Sequence, residues 1–161
     1  MKIAVCPGSF DPITNGHLDI IRRASRMFDK VIVVVMSNYF KKTGAFMPEE
    51  RVELIKRVTA DIPGIEVEAY YGLLADYARQ KNAVAIVKGL RAVSDFDTEF
   101  QQALANKKLN GEVETVFLTA SAENMYLSSS MVKQICEFGG DISEFVPSEI
   151  RDDIVKRLRK D

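Results

Sequence analysis

Short runs of apolar residues alternate along the chain with longer segments in which apolar residues recur every three or four positions. The short runs are typical of β-strands. We predict five strands, at Lys2–Cys6, Lys30–Met36, Ile65–Tyr71, Val84–Lys88 and Val113–Thr119. Ile32–Val35, Val84–Val87 and Val116–Leu118 are apolar at every position, which is typical of strands buried on both faces of a parallel sheet.

The segments between the strands have the spacing of amphipathic helices, with an apolar stripe along one side. The stripes contain Ile20, Ile21, Ala24, Met27 and Phe28; Val52, Ile55 and Val58; Phe96, Phe100, Ala103 and Leu104; Met131, Val132, Ile135 and Cys136; and Ile150, Ile154 and Leu158. A shorter helix is expected over Leu74–Arg79. We predict that Thr14 or Asn15 caps the first helix, and that Ser94 caps the fourth.

Strand–helix units repeated in series predict an α/β fold, with a doubly wound five-stranded parallel sheet and helices on both faces. Strand orders 3-2-1-4-5 and 2-1-3-4-5 both fit this pattern, and ligands bind outside the carboxyl ends of the strands where the order reverses. The loop after the first strand lines that crevice in either order. We find no repeat, low-complexity tract or linker, so residues 1–161 are predicted to form a single domain.

Composition excludes several classes of protein. The 22 Lys and Arg residues almost balance the 23 Asp and Glu residues, so no overall charge attracts nucleic acid or an anionic membrane. The longest apolar run is too short to cross a bilayer, and the amino terminus has no signal-peptide pattern. The Walker A, G-x-G-x-x-G and G-x-S-x-G motifs are absent. We therefore expect neither a nucleic-acid nor a membrane partner.

Histidine and cysteine usage narrows the chemistry further. His17 is the only histidine, which excludes a His-rich metal site. Cys6 and Cys136 lie far apart without a C-x-x-C motif, which argues against a zinc site or a disulfide scaffold and favours a reducing cytoplasm. We predict that both thiols are small buried apolar groups.

The segment after the first strand is the most informative part of the chain. Gly8 allows a close approach of backbone to a ligand, and Ser9 adds a hydroxyl. His17 lies in the first turn of the following helix and three residues before Ile20, so its imidazole should point into the crevice. There it could donate to a phosphate beside the helix N-terminus. The alternative is a histidine at the edge of the core, bonded to a backbone carbonyl.

Gly-Ser-Phe-Asp-Pro at residues 8–12, followed by Thr-Asn-Gly-His at residues 14–17, resembles the signature of the nucleotidylyltransferase superfamily. Nearly the whole chain is similar to the bacterial phosphopantetheine adenylyltransferases, with matching motifs at Pro48–Arg51, Lys88–Phe96 and Leu127–Ser130. The resemblance implies a Rossmann-like sheet in the order 3-2-1-4-5. It also implies reversible transfer of an adenylyl group from ATP to 4′-phosphopantetheine, giving dephospho-coenzyme A and pyrophosphate in coenzyme A biosynthesis. A homohexamer and Mg²⁺ bound with ATP are further implications.

The same resemblance assigns roles to individual positions. It implies catalytic roles for His17, Lys41 and Arg91. The positions that match ATP contacts are Ser9, Phe10, His17, Gly89, Leu90, Arg91, Glu99, Asn124, Met125, Tyr126, Leu127, Ser128, Ser129 and Ser130. Those that match phosphopantetheine contacts are Ser9, Lys41, Leu74 and Lys88, with Lys42 as the next candidate after Lys41. No residue is expected to be dedicated to the metal, which phosphates and water would hold.

Each of these positions also has a simpler structural explanation. Lys41, Lys88 and Arg91 could be solvated surface charges. Glu99 suits the start of a helix, where carboxylates are favoured, and a helix needs only one of the three serines as its cap. Leu74 could belong to the core.

Two other functions fit the same fold. One is nucleotidyl transfer to another acceptor, such as nicotinamide mononucleotide or glycerol phosphate. The other is a flavodoxin-like or nucleotide-sensing module that binds without turnover. The combination of His17, Lys41 and Arg91 favours an enzyme over a binding module, because a binder needs no donor at the transferring phosphate.

Overall fold

The computed structural model describes residues 1–37 and 44–160. Its strands are β1 (Ile3–Gly8), β2 (Lys30–Met36), β3 (Ile65–Tyr70), β4 (Ala85–Leu90) and β5 (Glu114–Thr119). Its helices are α1 (Asn15–Ser25), α2 (Pro48–Thr59), α3 (Leu74–Gln80), α4 (Val93–Leu109), α5 (Ser129–Glu137) and α6 (Ser148–Leu158), with one 3₁₀ turn at Ala122–Asn124. Within these ranges no helix is long and apolar enough to cross a membrane.

The strands form one parallel sheet in the order β3-β2-β1-β4-β5, which confirms the 3-2-1-4-5 order. β1 pairs with β2 along its whole length, from Ile3 opposite Lys30 to Gly8 opposite Val35. Its pairing with β4 covers only two positions, and the later of these joins Val5 to Ile86. The order reverses between β1 and β4, so the sheet opens there towards its carboxyl edge.

The central strands bury both of their faces, as their sequences predict. On β2, Val31, Val33 and Val35 pack into a large core with residues of α1, α2, α5 and α6. Ile32 and Val34 point to the other face and pack against a smaller cluster around Tyr77 of α3. Alternate side chains therefore enter opposite cores, which gives the continuous apolar run its physical reason. The assignment of residues 1–161 to one domain stays a prediction.

β5 departs from the prediction of full burial. Val116, Phe117 and Leu118 are only partly buried, although no polar residue interrupts them. β5 is an edge strand, paired only with β4 among the described strands, so it is less enclosed than β2. The periodicity of the sequence identifies a strand but does not show its place in the sheet.

The prediction that the apolar stripe of α4 faces the core is also wrong. Phe96, Phe100 and Leu104 are 41%, 45% and 56% exposed. α4 packs over β4 and β5 at the sheet edge, and none of its described side chains is fully buried. Its N-cap position is Ala92, so the helix begins before Ser94 and the predicted Ser94 cap is wrong.

Met27 is a further exception to the predicted core. It lies beyond the end of α1 and is 52% exposed. Cys6 and Cys136 are free and buried, as predicted.

A buried carboxylate ties several segments together below the carboxyl edge of the sheet. Asp11 is 6% exposed, and its two oxygens accept hydrogen bonds from the backbone N–H groups of Ala45 and Phe46, both at 2.9 Å. Asp11 also forms ion pairs with Arg51 Nε at 3.4 Å and Lys133 Nζ at 3.2 Å. The carboxylate thus joins the loop after β1 to the segment before α2, to α2 and to α5.

The arginine of this cluster adds contacts of its own. Arg51 Nε donates to the Phe46 carbonyl at 2.9 Å, and Nη1 donates to the Ser9 carbonyl at 3.1 Å. A Cβ on Gly44 would collide with Arg51 Nη2 and lie 2.9 Å from Asp11 Oδ2, so a larger residue would displace this guanidinium. Arg51 therefore contacts the loop after β1 at two points, the Ser9 carbonyl and the Asp11 carboxylate.

We expect Arg51→Ala to lower the free energy of unfolding by about 3 kcal/mol, because it removes one of the two cations paired with the buried carboxylate of Asp11. The matched control is Arg22→Ala, whose pair with Asp61 has side chains 42% and 67% exposed. That change should cost about 1 kcal/mol or less. Urea unfolding followed by circular dichroism measures both, and equal small losses would contradict the importance of the Asp11–Arg51 pair.

Candidate active site

A cavity of about 440 Å³ opens at the carboxyl edge of the sheet, between the ends of β1 and β4. Its walls also include the first turns of α1, α4 and α5. The predicted site residues that line it are Phe10, His17, Lys88, Gly89, Arg91, Glu99, Asn124, Leu127, Ser128 and Ser129. Segments far apart in the sequence thus converge at one place, as the strand order predicts.

His17 is held in the wall by the start of α1. Thr14 is the N-cap, which decides between the two predicted caps, and its hydroxyl accepts the His17 N–H at 3.4 Å. In return, His17 Nδ1 accepts the Thr14 backbone N–H at 3.0 Å. This reciprocal pair is a capping box with histidine in the position usually taken by glutamate or glutamine.

The capping box selects one tautomer of the imidazole. Because Nδ1 accepts a hydrogen bond from a backbone N–H, the proton of the neutral ring resides on Nε2. The alternative of a histidine that donates to a backbone carbonyl is therefore wrong for Nδ1. Phe10, only 3% exposed, packs edge-to-face on the ring with centroids 5.1 Å apart and fixes its plane.

His17 is neutral at physiological pH. Burial of the imidazole, together with the nearby charges of Arg91 and then Lys88, lowers the pKa of His17 from 6.5 to about 4. The group in the cavity is thus an uncharged N–H donor flanked by two cations. A donor of this kind can bind a phosphate oxygen without first having to be protonated.

The two cations are each paired with a carboxylate of α4. Lys88 Nζ lies 3.2 Å from Glu99 Oε2. Arg91 Nε lies 3.2 Å from Asp95 Oδ2, and Arg91 Nη1 donates to the Leu127 carbonyl at 2.9 Å. Both cations line the cavity and are ion-paired, so neither is an isolated surface charge, although the Arg91 side chain is 41% exposed.

Gly89 brings the wall of the cavity close to α1. A Cβ at this position would lie 3.0 Å from Ile20 Cγ1, tighter than ordinary van der Waals contact. Without a side chain, β4 and α1 pack closely at the level of His17. The predicted ATP contact at Gly89 therefore coincides with a packing requirement.

The serines at the start of α5 have distinct contacts. Ser128 is the N-cap and accepts the Met131 N–H at 3.1 Å. Ser129 Oγ donates to the Pro12 carbonyl at 2.7 Å and so ties α5 to the loop after β1. The backbone N–H groups of Ser129 and Ser130, in the first turn of the helix, are the ones suited to bind an anion. Ser130 itself is exposed and does not line the cavity.

Several predicted residues lie away from the cavity walls. Leu74 begins α3 and packs against the smaller core beyond β2, as its structural explanation proposes. Leu90 does not line the cavity, and Ser9 is exposed beside it. Met125 and Tyr126, 52% and 54% exposed, follow the cavity residue Asn124. Lys41 and Lys42 lie outside the described residues.

The sequence interpretation missed Asp95, Thr98 and Cys6, which also line the cavity. Asp95 lies four residues after Arg91 and four before Glu99, and this spacing was the available signal for a paired carboxylate. Among the described residues no group of three or more His, Cys, Asp or Glu side chains could hold a metal ion.

Comparison with known proteins identifies relatives over nearly the whole chain. A sequence model of the cytidylyltransferase-like family matches residues 5–135. Proteins named phosphopantetheine adenylyltransferase are 59% identical in Clostridium botulinum and 54% identical in Caldanaerobacter subterraneus subsp. tengcongensis. Each of these alignments covers 99% of this chain and 99% of the relative.

A solved structure shares the fold at much lower identity. It is nicotinic acid mononucleotide adenylyltransferase of Plasmodium falciparum, complexed with NaAD. The TM-score is 0.68 at 14% identity, and the match covers 96% of this chain and 95% of that chain. At this identity the likeness concerns the fold alone.

We expect the imidazole of His17 to titrate with a midpoint near 4 rather than 6.5, because burial and two nearby cations disfavour its charged form. His17 is the only histidine, so its ring C–H proton resonances can be followed by NMR without ambiguity. Arg91→Gln should raise the midpoint only in part, since burial is the larger cause. A wild-type midpoint near 6.5 would contradict the neutral-donor assignment.

Proposed function

Since the chain belongs to the phosphopantetheine adenylyltransferases, within the cytidylyltransferase-like family, we propose that it transfers the adenylyl group of ATP to 4′-phosphopantetheine. The products are dephospho-coenzyme A and pyrophosphate, and the reaction is a reversible step of coenzyme A biosynthesis. The observation that carries the proposal is the convergence of His17, Lys88 and Arg91 on one cavity beside the start of α5. These groups suit a reaction between two phosphates.

The transfer needs no nucleophile from the protein. An oxygen of the phosphopantetheine phosphate attacks the α-phosphorus of ATP, a new P–O bond forms, and the bond to the β-phosphate oxygen breaks to release pyrophosphate. Cys6 is the one thiol in the cavity wall, and burial raises its pKa to about 12, so it stays protonated and unreactive. Catalysis then rests on positioning and on stabilising charge.

His17 is placed to stabilise the charge that develops at the α-phosphate. Its neutral Nε2–H is the donor, and the Thr14 N–H prevents the ring from presenting its other nitrogen. The donor is oriented before substrate binds, which is the property required of an oxyanion-type contact.

We assign the remaining cationic groups to the two substrates. Lys88 contacts the phosphate of phosphopantetheine and Arg91 the triphosphate of ATP, with the free N–H groups of α5 binding a further phosphate oxygen. Ser9, Lys41 and Leu74 contribute to the acceptor, and Phe10, Gly89, Leu90, Glu99 and residues 124–130 to ATP. Support for these positions comes from the family and, for the nine that line the cavity, also from their location.

Magnesium is proposed to arrive bound to the phosphates of ATP and to water. The carboxylates in the cavity wall, Asp95 and Glu99, are ion-paired with Arg91 and Lys88 and so are not free to hold a divalent cation. In the described part of the chain, no group of three or more His, Cys, Asp or Glu side chains could hold a metal ion.

We also propose that the protein forms a homohexamer and acts in the cytoplasm. Phe96, Phe100 and Leu104 expose a continuous apolar face of α4, with the two rings stacked 5.2 Å apart. Contact between copies of the chain would remove this apolar surface from water. Free, buried Cys6 and Cys136 suit a reducing compartment.

We expect pyrophosphate release from ATP and Mg²⁺ to require 4′-phosphopantetheine and to yield dephospho-coenzyme A. Nicotinamide mononucleotide and glycerol phosphate are the matched acceptors and should give background release only. A coupled pyrophosphate assay with chromatography of the products measures this. Faster release with either other acceptor would reject the proposed substrate, and tight ATP binding without any product would favour a binding module.

His17→Ala should lower kcat by about 10²-fold or more with little change in KM, because the lost donor acts mainly in the transition state. His17→Gln is the matched variant, since glutamine at this helix position can still accept the Thr14 N–H. Its unfolding free energy should therefore stay nearer the wild-type value while its kcat also falls. Steady-state kinetics with urea unfolding separate the two effects, and near-normal kcat in His17→Ala would reject the role.

A further inference from the structure

We propose that Asp95 is a positioning residue, which holds the guanidinium of Arg91 in the orientation that binds the triphosphate of ATP. The inference rests on the proposed function, in which Arg91 contacts ATP. Asp95 lines the same cavity as Arg91 and belongs to the first turn of α4.

Two contacts fix the guanidinium from different sides. Asp95 Oδ2 lies 3.2 Å from Arg91 Nε, and the Leu127 carbonyl accepts from Arg91 Nη1 at 2.9 Å. Apart from the side chains of residues 93 and 94, which lie outside the described part of the chain, Arg91 Nη2 has no hydrogen-bond partner among residues 1–37 and 44–160. The planar guanidinium is thus anchored through Nε and Nη1, and Nη2 stays available for an anion.

Both anchors lie at the start of a helix. Asp95 is on a 17-residue helix whose N-terminus favours a carboxylate. Leu127 is 4% exposed and immediately precedes Ser128, the N-cap of α5. Arg91 therefore connects the start of α4 to the start of α5, and its orientation is set relative to the free N–H groups of α5.

Arg91 needs such support because its side chain is 41% exposed. An arginine with that freedom samples many rotamers, and ordering it only when substrate binds would weaken binding. A carboxylate that acts only as a counter-ion predicts the opposite result. Neutralising it would free a positive charge and tighten the binding of ATP.

The experiment is a double-mutant cycle with Asp95→Asn and Arg91→Ala, measured by steady-state kinetics. Asp95→Asn should lower kcat/KM for ATP about tenfold, the size expected when a hydrogen bond between charged groups loses the charge of its acceptor. KM for phosphopantetheine should stay within about twofold, since Lys88 and Glu99 are untouched. In the Arg91→Ala background, Asp95→Asn should have no further effect on kcat/KM for ATP.

Asp97→Asn is the matched control, because it removes the same charge from an exposed position two residues along the same helix. It should leave all kinetic constants unchanged. Asp95→Glu keeps the charge with a longer side chain and should retain more activity than Asp95→Asn. If Asp95→Asn fails to fold by circular dichroism, Asp95→Glu takes its place in the cycle.

Tighter ATP binding in Asp95→Asn, or the same loss with and without Arg91, would overturn the inference. Unchanged kcat/KM for ATP in Asp95→Asn would do so as well. Failure of the proposed function is distinct from all of these, because the wild-type protein would then make no dephospho-coenzyme A.

Discussion

The buried carboxylate of Asp11 is the contact on which the geometry of the cavity most depends. It accepts two backbone N–H groups and pairs with Arg51 and Lys133, so it joins the loop after β1 to the start of α2 and to α5. That loop leads directly to Thr14, the N-cap of α1, which forms the capping box with His17. A charge that is buried and fully partnered allows few alternative arrangements, since each would leave it unpaired. The position of the donor in the cavity therefore depends on a polar cluster outside it.

This arrangement suits a reaction in which the protein supplies no covalent group. A phosphate attacking a phosphorus atom is limited by alignment and by charge repulsion, which fixed donors and cations reduce. In the free protein each cation already has a partner, Lys88 with Glu99 and Arg91 with Asp95. The cavity is therefore close to electrically balanced before substrate binds, in keeping with a formal net charge of −1 for the chain. The site for polyanionic substrates is therefore built from locally positioned cations held in ion pairs, and not from an overall positive charge of the chain.

Much of this could be predicted from the sequence, and the exceptions share a cause. Periodicity found the strands and most helices, and the spacing from His17 to Ile20 placed the histidine at the sheet edge. The same method misjudged β5 and α4, because a pattern of apolar residues does not distinguish a central position from an edge. Pairings between distant segments, such as Ser129 Oγ with the Pro12 carbonyl, depend on the folded chain and leave no local signal. The only sequence signal for the ion pair of Asp95 with Arg91 is their spacing of four residues.

The protonation state of His17 shows why folded geometry decides the chemistry. The sequence supplies a histidine near cations, and such a group could act as a charged or a neutral donor. In the structure, burial, Arg91 and Lys88 all lower its pKa, and the Thr14 N–H occupies Nδ1. A third positive charge would cost free energy in this partly closed cavity, whereas a neutral N–H costs much less. The fold thus resolves the ambiguity in favour of a neutral Nε2 donor, with the positive charge left to Lys88 and Arg91.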